Sequence, residues 1–182
     1  MTVIKQEDFI QSICDAFQFI SYYHPKDYID ALYKAWQKEE NPAAKDAMTQ
    51  ILVNSRMCAE NNRPICQDTG IATVFLKVGM NVQWDADMSV EEMVNEGVRR
   101  AYTWEGNTLR ASVLADPAGK RQNTKDNTPA VIHMSIVPGD KVEVTCAAKG
   151  GGSENKSKLA MLNPSDNKLP RSEERRVGKE CR

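Results

Sequence analysis

The sequence predicts an α+β fold, in which a helical first third is followed by a mixed sheet with further helices. Apolar residues recur at helical spacing up to about residue 62. After Gly70 the pattern changes to short runs rich in β-branched residues, separated by glycine and proline. The chain of 182 residues, 41% of them hydrophobic, has room for one domain with a packed core.

Three helices are predicted in the first third. The first runs from Gln6 to Tyr22, where apolar residues recur every three or four positions. A second begins at Pro25, because proline fits the first turn of a helix. The third opens at Asn41-Pro42, a cap followed by proline, and ends near Asn61. The inward stripe of the first helix consists of Phe9, Ile10, Ile13, Cys14, Phe17 and Ile20.

The sequence after Gly70 predicts three strands and one more helix. A strand runs from Ile71 to Val78, and Ser89 with Glu92 forms a capping box that starts the fourth helix. Two further strands are predicted over residues 130–137 and 141–148, joined by a Pro-Gly-Asp turn. The polar stretch 115–128 is expected to be an exposed loop.

Charge and cysteine usage exclude several classes of protein. The 24 Lys and Arg against 25 Asp and Glu give a net charge of −1, so there is no basic field for nucleic acid or an anionic membrane. No apolar run approaches the roughly 20 residues that span a bilayer, and acidic residues interrupt the first 20 positions, unlike a signal peptide. Five cysteines without a C-x-x-C pair argue against a disulfide scaffold. We therefore expect a cytoplasmic protein without nucleic-acid or membrane partners.

The densest group of reactive side chains is the Asp68 loop, residues 66–70, between a predicted helix and a predicted strand. Cys66 offers a thiolate ligand or nucleophile, Gln67 an amide that can bind a carboxylate, and Asp68 a carboxylate for proton transfer. The alternative is a plain turn, in which Asp68 and Thr69 bond local amides and Cys66 is buried.

A second candidate is the glycine segment, residues 147–157, which contains three consecutive glycines bracketed by Lys149 and Lys156. Successive glycine N–H groups can form an anion nest, which suits a carboxylate or a phosphate. The spacing of a Walker A loop is absent. The alternative is a flexible linker.

A third candidate is the Arg110 loop, residues 106–112. The guanidinium of Arg110 can clamp a carboxylate through two parallel hydrogen bonds. The alternative is an ordinary surface arginine.

The last twelve residues, from Arg171, differ from the rest of the chain. Eight of the twelve are charged and no helical or strand period is visible. Their sequence resembles a translated sequencing adapter. We therefore expect a domain over residues 1–167 and a non-native or disordered tail over 168–182.

The three candidates occur in an order that resembles the N-terminal part of the class I fumarate hydratases, iron–sulfur enzymes related to L-tartrate dehydratase. The resemblance runs from near Met1 to about Asn167. It implies reversible hydration of fumarate to (S)-malate at a [4Fe–4S] cluster that three cysteines hold, with one iron open to substrate, and a homodimer for the full-length protein. The matching segments are Cys66-Gln67-Asp68-Thr69-Gly70, Leu109-Arg110-Ala111-Ser112 and Lys149-Gly150-Gly151-Gly152-Ser153-Glu154-Asn155.

The resemblance also implies a role for each residue. Cys66 would be the first cluster ligand, Gln67 and Asp68 would contact the dicarboxylate substrate with Asp68 as acid or base, and Arg110 and Gly150 would bind its carboxylates. The family's other two cluster cysteines lie further along the chain than this sequence extends, and its remaining cysteines do not match them. We therefore expect a fragment that is inactive by itself.

Two alternatives stay open. One is an L-tartrate dehydratase or a methylfumarate hydratase of the same family, because these enzymes share the Cys-Gln-Asp-Thr-Gly loop. The other is a non-catalytic domain that binds an organic acid or serves as an interaction module.

Overall fold

The computed structural model describes residues 2–116, 119–150 and Met161, and the expected tail over 168–182 lies outside these residues. The described part has the predicted α+β architecture. Its helices are α1 (Gln6–Tyr22), α2 (Lys26–Lys38), α3 (Pro42–Asn61) and α4 (Val90–Thr103). Its strands are β1 (Thr2–Lys5), β2 (Ile71–Gly79), β3 (Val82–Asp85), β4 (Leu114–Ala115), β5 (Gln122–Asn123), β6 (Val131–Val137) and β7 (Val142–Lys149).

The helix predictions are confirmed closely. The bounds of α1 agree with the prediction, and its predicted stripe is buried except for half-buried Ile20. The Asn41 side chain accepts hydrogen bonds from the first backbone N–H groups of α3. The capping box of α4 is present, because Glu92 N–H donates to Ser89 Oγ at 3.2 Å and Ser89 N–H donates to the Glu92 carboxylate at 2.8 Å. Every helix in the described part is too short or too polar to cross a bilayer.

The hydrophobic core lies between α1, α4 and one face of the central sheet. Helices α1 and α4 approach each other closely at Gly97, where a Cβ atom would stand 2.6 Å from Cβ of Ile13 and 2.7 Å from the carbonyl oxygen of Ile10. Only glycine allows the backbones to come this close. The residues of β2 that alternate toward this core are Ala72, Val74, Leu76 and Val78.

The central sheet has the order β6-β2-β7, with β2 parallel to β6 and antiparallel to β7. The predicted strands and the turn between β6 and β7 are confirmed, but β2 lies between the two strands, so they do not form a hairpin with each other. The register places Ile71 opposite Lys149. The start of β2 and the end of β7 therefore meet at one end of the sheet.

The expected exposed loop over residues 115–128 needs one correction. Most of its described side chains are exposed, and β4 pairs with β5. The prediction is wrong for Asn127, whose side chain is 0% exposed. The reason is that this polar side chain finds hydrogen-bond partners in segments distant in sequence, which a local composition cannot indicate.

Candidate functional site

The Asp68 loop meets the start of the glycine segment where the start of β2 lies beside the end of β7. A Cβ atom at Gly70 would stand 2.6 Å from the carbonyl carbon of Lys149. A Cβ atom at Gly150 would stand 3.3 Å from Oδ2 of Asp68. The first contact brings the two backbones together, and the second puts the Asp68 carboxylate beside the backbone of Gly150. The glycine segment beyond residue 150 lies outside the described part.

The Arg110 loop joins the same place. The hydroxyl of Thr69 donates a hydrogen bond to the carbonyl oxygen of Arg110. The Arg110 side chain is exposed, and within residues 2–116 and 119–150 it takes part in no ion pair. The fold thus brings together parts of all three candidate segments, and it leaves a guanidinium accessible to a carboxylate from solution.

The side chains of the Asp68 loop differ in exposure. Cys66 and Gln67 are exposed, whereas Asp68 is half-buried and its Oδ1 accepts a 3.0 Å hydrogen bond from Gly70 N–H. The plain-turn alternative is therefore correct about the local bond of Asp68 and wrong about burial of Cys66. Thr69 bonds to the Arg110 loop rather than to a local amide.

The segment before Cys66 is fixed by contacts with helices α1 and α3. Ile65 N–H donates to the carbonyl oxygen of Ser21 at 2.9 Å, and Asn54 Nδ2 donates to the carbonyl oxygen of Ile65 at 3.2 Å. Thr108 Oγ1 donates to the carbonyl oxygen of Asn62 at 2.7 Å. The backbone directly before the exposed Cys66 is therefore held in place by α1, α3 and the Arg110 loop.

A buried polar network lies beneath the loops, and the sequence did not indicate it. Asn127 donates to the carbonyl oxygen of Gly70 at 3.1 Å and accepts the N–H of Ser112 at 2.7 Å. The Tyr102 hydroxyl donates to the carbonyl oxygen of Thr69 at 3.3 Å. Burial raises the pKa of Tyr102 to about 12, although its hydrogen bonds act in the opposite direction. The hydroxyl is consequently protonated, and available as a donor, at neutral pH.

Helix α4 anchors the loop that carries Asn127. The guanidinium of Arg99 lies 3.2 Å from the carboxylate of Asp126, and Asn95 Oδ1 accepts the N–H of Ala130 at 2.9 Å. Partial burial of Asp126 acts to raise its pKa, but hydrogen bonds from Thr128 and Arg99 outweigh it and lower the pKa. The Asp126 carboxylate is therefore ionised and paired at neutral pH.

The cysteines in the described residues occupy different environments. Cys66 is exposed at the site, Cys14 and Cys58 are buried, and Cys146 is half-buried in β7 opposite Val74. Burial raises the pKa of Cys146 to about 11 and also raises the pKa of the other two buried thiols. The described part holds no group of three or more His, Cys, Asp or Glu that could bind a metal. By themselves these residues do not fit a cluster that requires three thiolates.

Comparison with known proteins identifies the family. A family model for fumarate hydratase (Fumerase) matches residues 10–173. The chain belongs to this fumarate hydratase family. The resemblance inferred from the three motifs is confirmed.

Relatives in this family include both hydratases and dehydratases. The chain is 35% identical over 159 residues to a putative L(+)-tartrate dehydratase subunit alpha of Methanocaldococcus jannaschii, covering 85% of the chain and 54% of that protein. It is 34% identical over 159 residues to fumarate hydratase 2 of Leishmania major, covering 82% of the chain and 27% of that protein. It is 39% identical over 120 residues to the anaerobic class I fumarate hydratase of Escherichia coli, covering 63% of the chain and 21% of that protein. The chain thus spans about half of the first relative and about a quarter or less of the other two.

Proposed function

We propose that these residues form part of the active site of a hydro-lyase that hydrates fumarate reversibly to (S)-malate. The observation that carries the proposal is the meeting of the Asp68 loop, the Arg110 loop and Gly150 at one end of the sheet in a member of the fumarate hydratase family. A four-carbon dicarboxylate carries negative charge at both ends. A site for it needs a donor group for each carboxylate and a proton-transfer group between them.

Each residue has a distinct part in this proposal. Arg110 binds one carboxylate through its guanidinium, since this cation is accessible and its planar fork matches a carboxylate. The backbone of Gly150 and the amide of Gln67 hold the other end of the substrate. Asp68 takes or returns the proton at carbon, because its carboxylate lies beside the backbone of Gly150 and accepts the N–H of Gly70.

A [4Fe–4S] cluster with Cys66 as one of its ligands is also part of the proposal. When bound, such a cluster supplies a Lewis acid that helps the hydroxyl leave. Cys66 is one exposed thiol, so the other two thiolates would have to come from outside the described residues. We propose that residues 1–167 are the N-terminal part of a cytoplasmic, homodimeric enzyme, and that the 182-residue chain alone does not turn over substrate.

Dehydration of L-tartrate is the second candidate, and the similarity to the Methanocaldococcus subunit favours it. Tartrate is also a four-carbon dicarboxylate but carries a second hydroxyl group. The same carboxylate-binding groups could serve both substrates.

Anaerobic iron–sulfur reconstitution followed by activity assays tests the proposal. The chain alone is expected to give neither a stable four-iron absorbance nor turnover, and either signal would contradict the fragment interpretation. In a longer polypeptide that contains these residues, fumarate should be hydrated faster than tartrate is dehydrated, and the reverse would favour the second candidate.

Two variants of that longer polypeptide separate the roles of the residues. Cys66→Ala should remove cluster and activity together, while Asp68→Asn should keep the cluster and lose rate. Cys14→Ala, at a buried thiol of α1 that accepts a hydrogen bond from Gln18 of the same helix, is the matched control and should keep both. Activity in both site variants would overturn the assignment.

A further inference from the structure

Asn127 connects the backbones of the two loops that carry the candidate site. Its wholly buried side chain donates to the carbonyl oxygen of Gly70 at 3.1 Å. Its Oδ1 accepts the N–H groups of Ser112 at 2.7 Å and Val113 at 3.3 Å. Because a buried polar group without its partners costs about 1–3 kcal/mol, these bonds hold the two loops at a defined separation.

Asn127 is itself held by a third element. Its φ of +60° lies in the left-handed region, which asparagine tolerates better than most residues. The neighbouring Asp126 is paired with Arg99 of α4. Asn127 therefore links the two loops while its own backbone is anchored to α4, which belongs to neither loop.

We propose that Asn127 is a positioning residue that sets the spacing between the Asp68 loop and the Arg110 loop, and thereby selects dicarboxylates over monocarboxylates. This inference rests on the proposed function, in which the two ends of the substrate are held by groups on different segments. A dicarboxylate needs both groups at the correct separation. A monocarboxylate needs only one of them, so its binding is insensitive to the spacing.

Asn127→Gly tests the proposal, because glycine accepts the left-handed backbone while the side-chain bonds are removed. Lys125→Gly is the matched control. Lys125 lies in the same loop and also has a positive φ, +69°, but its side chain is exposed. Any effect of placing glycine in this loop would appear in both variants.

The first readout is the affinity of the chain for fumarate and for crotonate, in which a methyl group replaces one carboxylate. In Asn127→Gly the Kd of fumarate should rise about tenfold, while that of crotonate changes by less than about twofold. Lys125→Gly should change neither. An equal loss of both affinities, or no loss, would overturn the selection by spacing.

The second readout does not depend on ligand binding. Amide hydrogen exchange at Ser112 should accelerate at least about tenfold in Asn127→Gly, relative to the core amide of Val74. Unchanged exchange at Ser112 would overturn the bracing role. If the unaltered chain binds no fumarate, both the proposed function and the selection of dicarboxylates by Asn127 are contradicted. The exchange measurement then still decides whether Asn127 couples the two loops.

A second variant covers the case in which Asn127→Gly does not fold. Asn127→Asp keeps an oxygen that accepts the N–H groups of Ser112 and Val113, and in its ionised form it cannot donate to the carbonyl oxygen of Gly70. Fumarate affinity should fall while exchange at Ser112 stays slow. Unchanged fumarate affinity in this variant would contradict the proposal.

Discussion

Gly70 and Lys149 lie against each other, so that a Cβ atom at Gly70 would stand 2.6 Å from the carbonyl carbon of Lys149. Gly70 also has a φ of +73°, in the region that favours glycine. The Asp68 loop can therefore reach the glycine segment only because position 70 has no side chain. This contact places Asp68 beside Gly150, on which the proposed site depends.

Gly70→Ala should destabilise the fold by about 3 kcal/mol, because alanine adds both left-handed strain and a clash with backbone atoms. Chemical denaturation measures the effect. Gly139→Ala is the control, since Gly139 has a φ of +115° but nothing within 4 Å of an added Cβ atom. An equal loss of stability in both variants would mean that the contact with Lys149 contributes nothing.

The cysteines should differ in their reactivity toward iodoacetamide. Cys66 is exposed, whereas burial raises the pKa of Cys146 to about 11 and leaves less thiolate at pH 8. Peptide mapping of a brief reaction should show Cys66 alkylated at least about tenfold faster than Cys146. In urea the two rates should become similar. Equal rates in the folded chain would contradict the described environments.

The free energy of unfolding should decrease as the pH rises from 10 to 12, partly because of Tyr102. Its pKa is about 12 in the folded chain and 10 for an ordinary tyrosine, so the unfolded chain loses this proton first. The contribution of Tyr102 to the free energy of unfolding is thus complete below pH 10. It is lost as the pH rises toward the pKa of Tyr102 in the folded chain. Urea denaturation at several pH values should show a shallower decrease in Tyr102→Phe. Tyr33→Phe, which removes an exposed hydroxyl, should retain the original slope.

Gly97→Ala should destabilise the helix pair, even though alanine favours a helix over glycine by about 1 kcal/mol. The added Cβ atom would meet Ile13 of α1 at 2.6 Å. Thermal unfolding measures the change, and adding Ile13→Ala should recover only part of it, because the carbonyl oxygen of Ile10 also lies 2.7 Å away. An increase in Tm for Gly97→Ala alone would contradict the close packing of α1 and α4.

The sequence predicted the elements whose signals are local. Helix α1 follows from a strong 3.6-residue period and α4 from a capping box. Strands β1 and β3 were not predicted, because four residues are too few to establish a period. The order of β6, β2 and β7 depends on long-range pairing, so the turn signal between β6 and β7 could not indicate it.

In the candidate site, too, the sequence indicated the residues with local signals and missed the one that depends on long-range contacts. Asp68 and Arg110 were found from their residue types and from the resemblance to a family. Asn127 was missed because its partners Gly70 and Ser112 are 57 and 15 positions away. Nothing in the local sequence distinguishes such a buried amide from the exposed polar residues around it.

Titration of the isotope-labelled chain with fumarate, followed by backbone amide NMR, tests the proposed dicarboxylate site most directly. The amides of Gly70, Ser112 and Gly150 should shift together and give one Kd. Arg110→Ala should abolish these shifts, whereas Arg56→Ala, which removes an exposed positive charge on α3, should keep them. No shift in the unaltered chain, or equal shifts in Arg110→Ala, would contradict a dicarboxylate site at these loops.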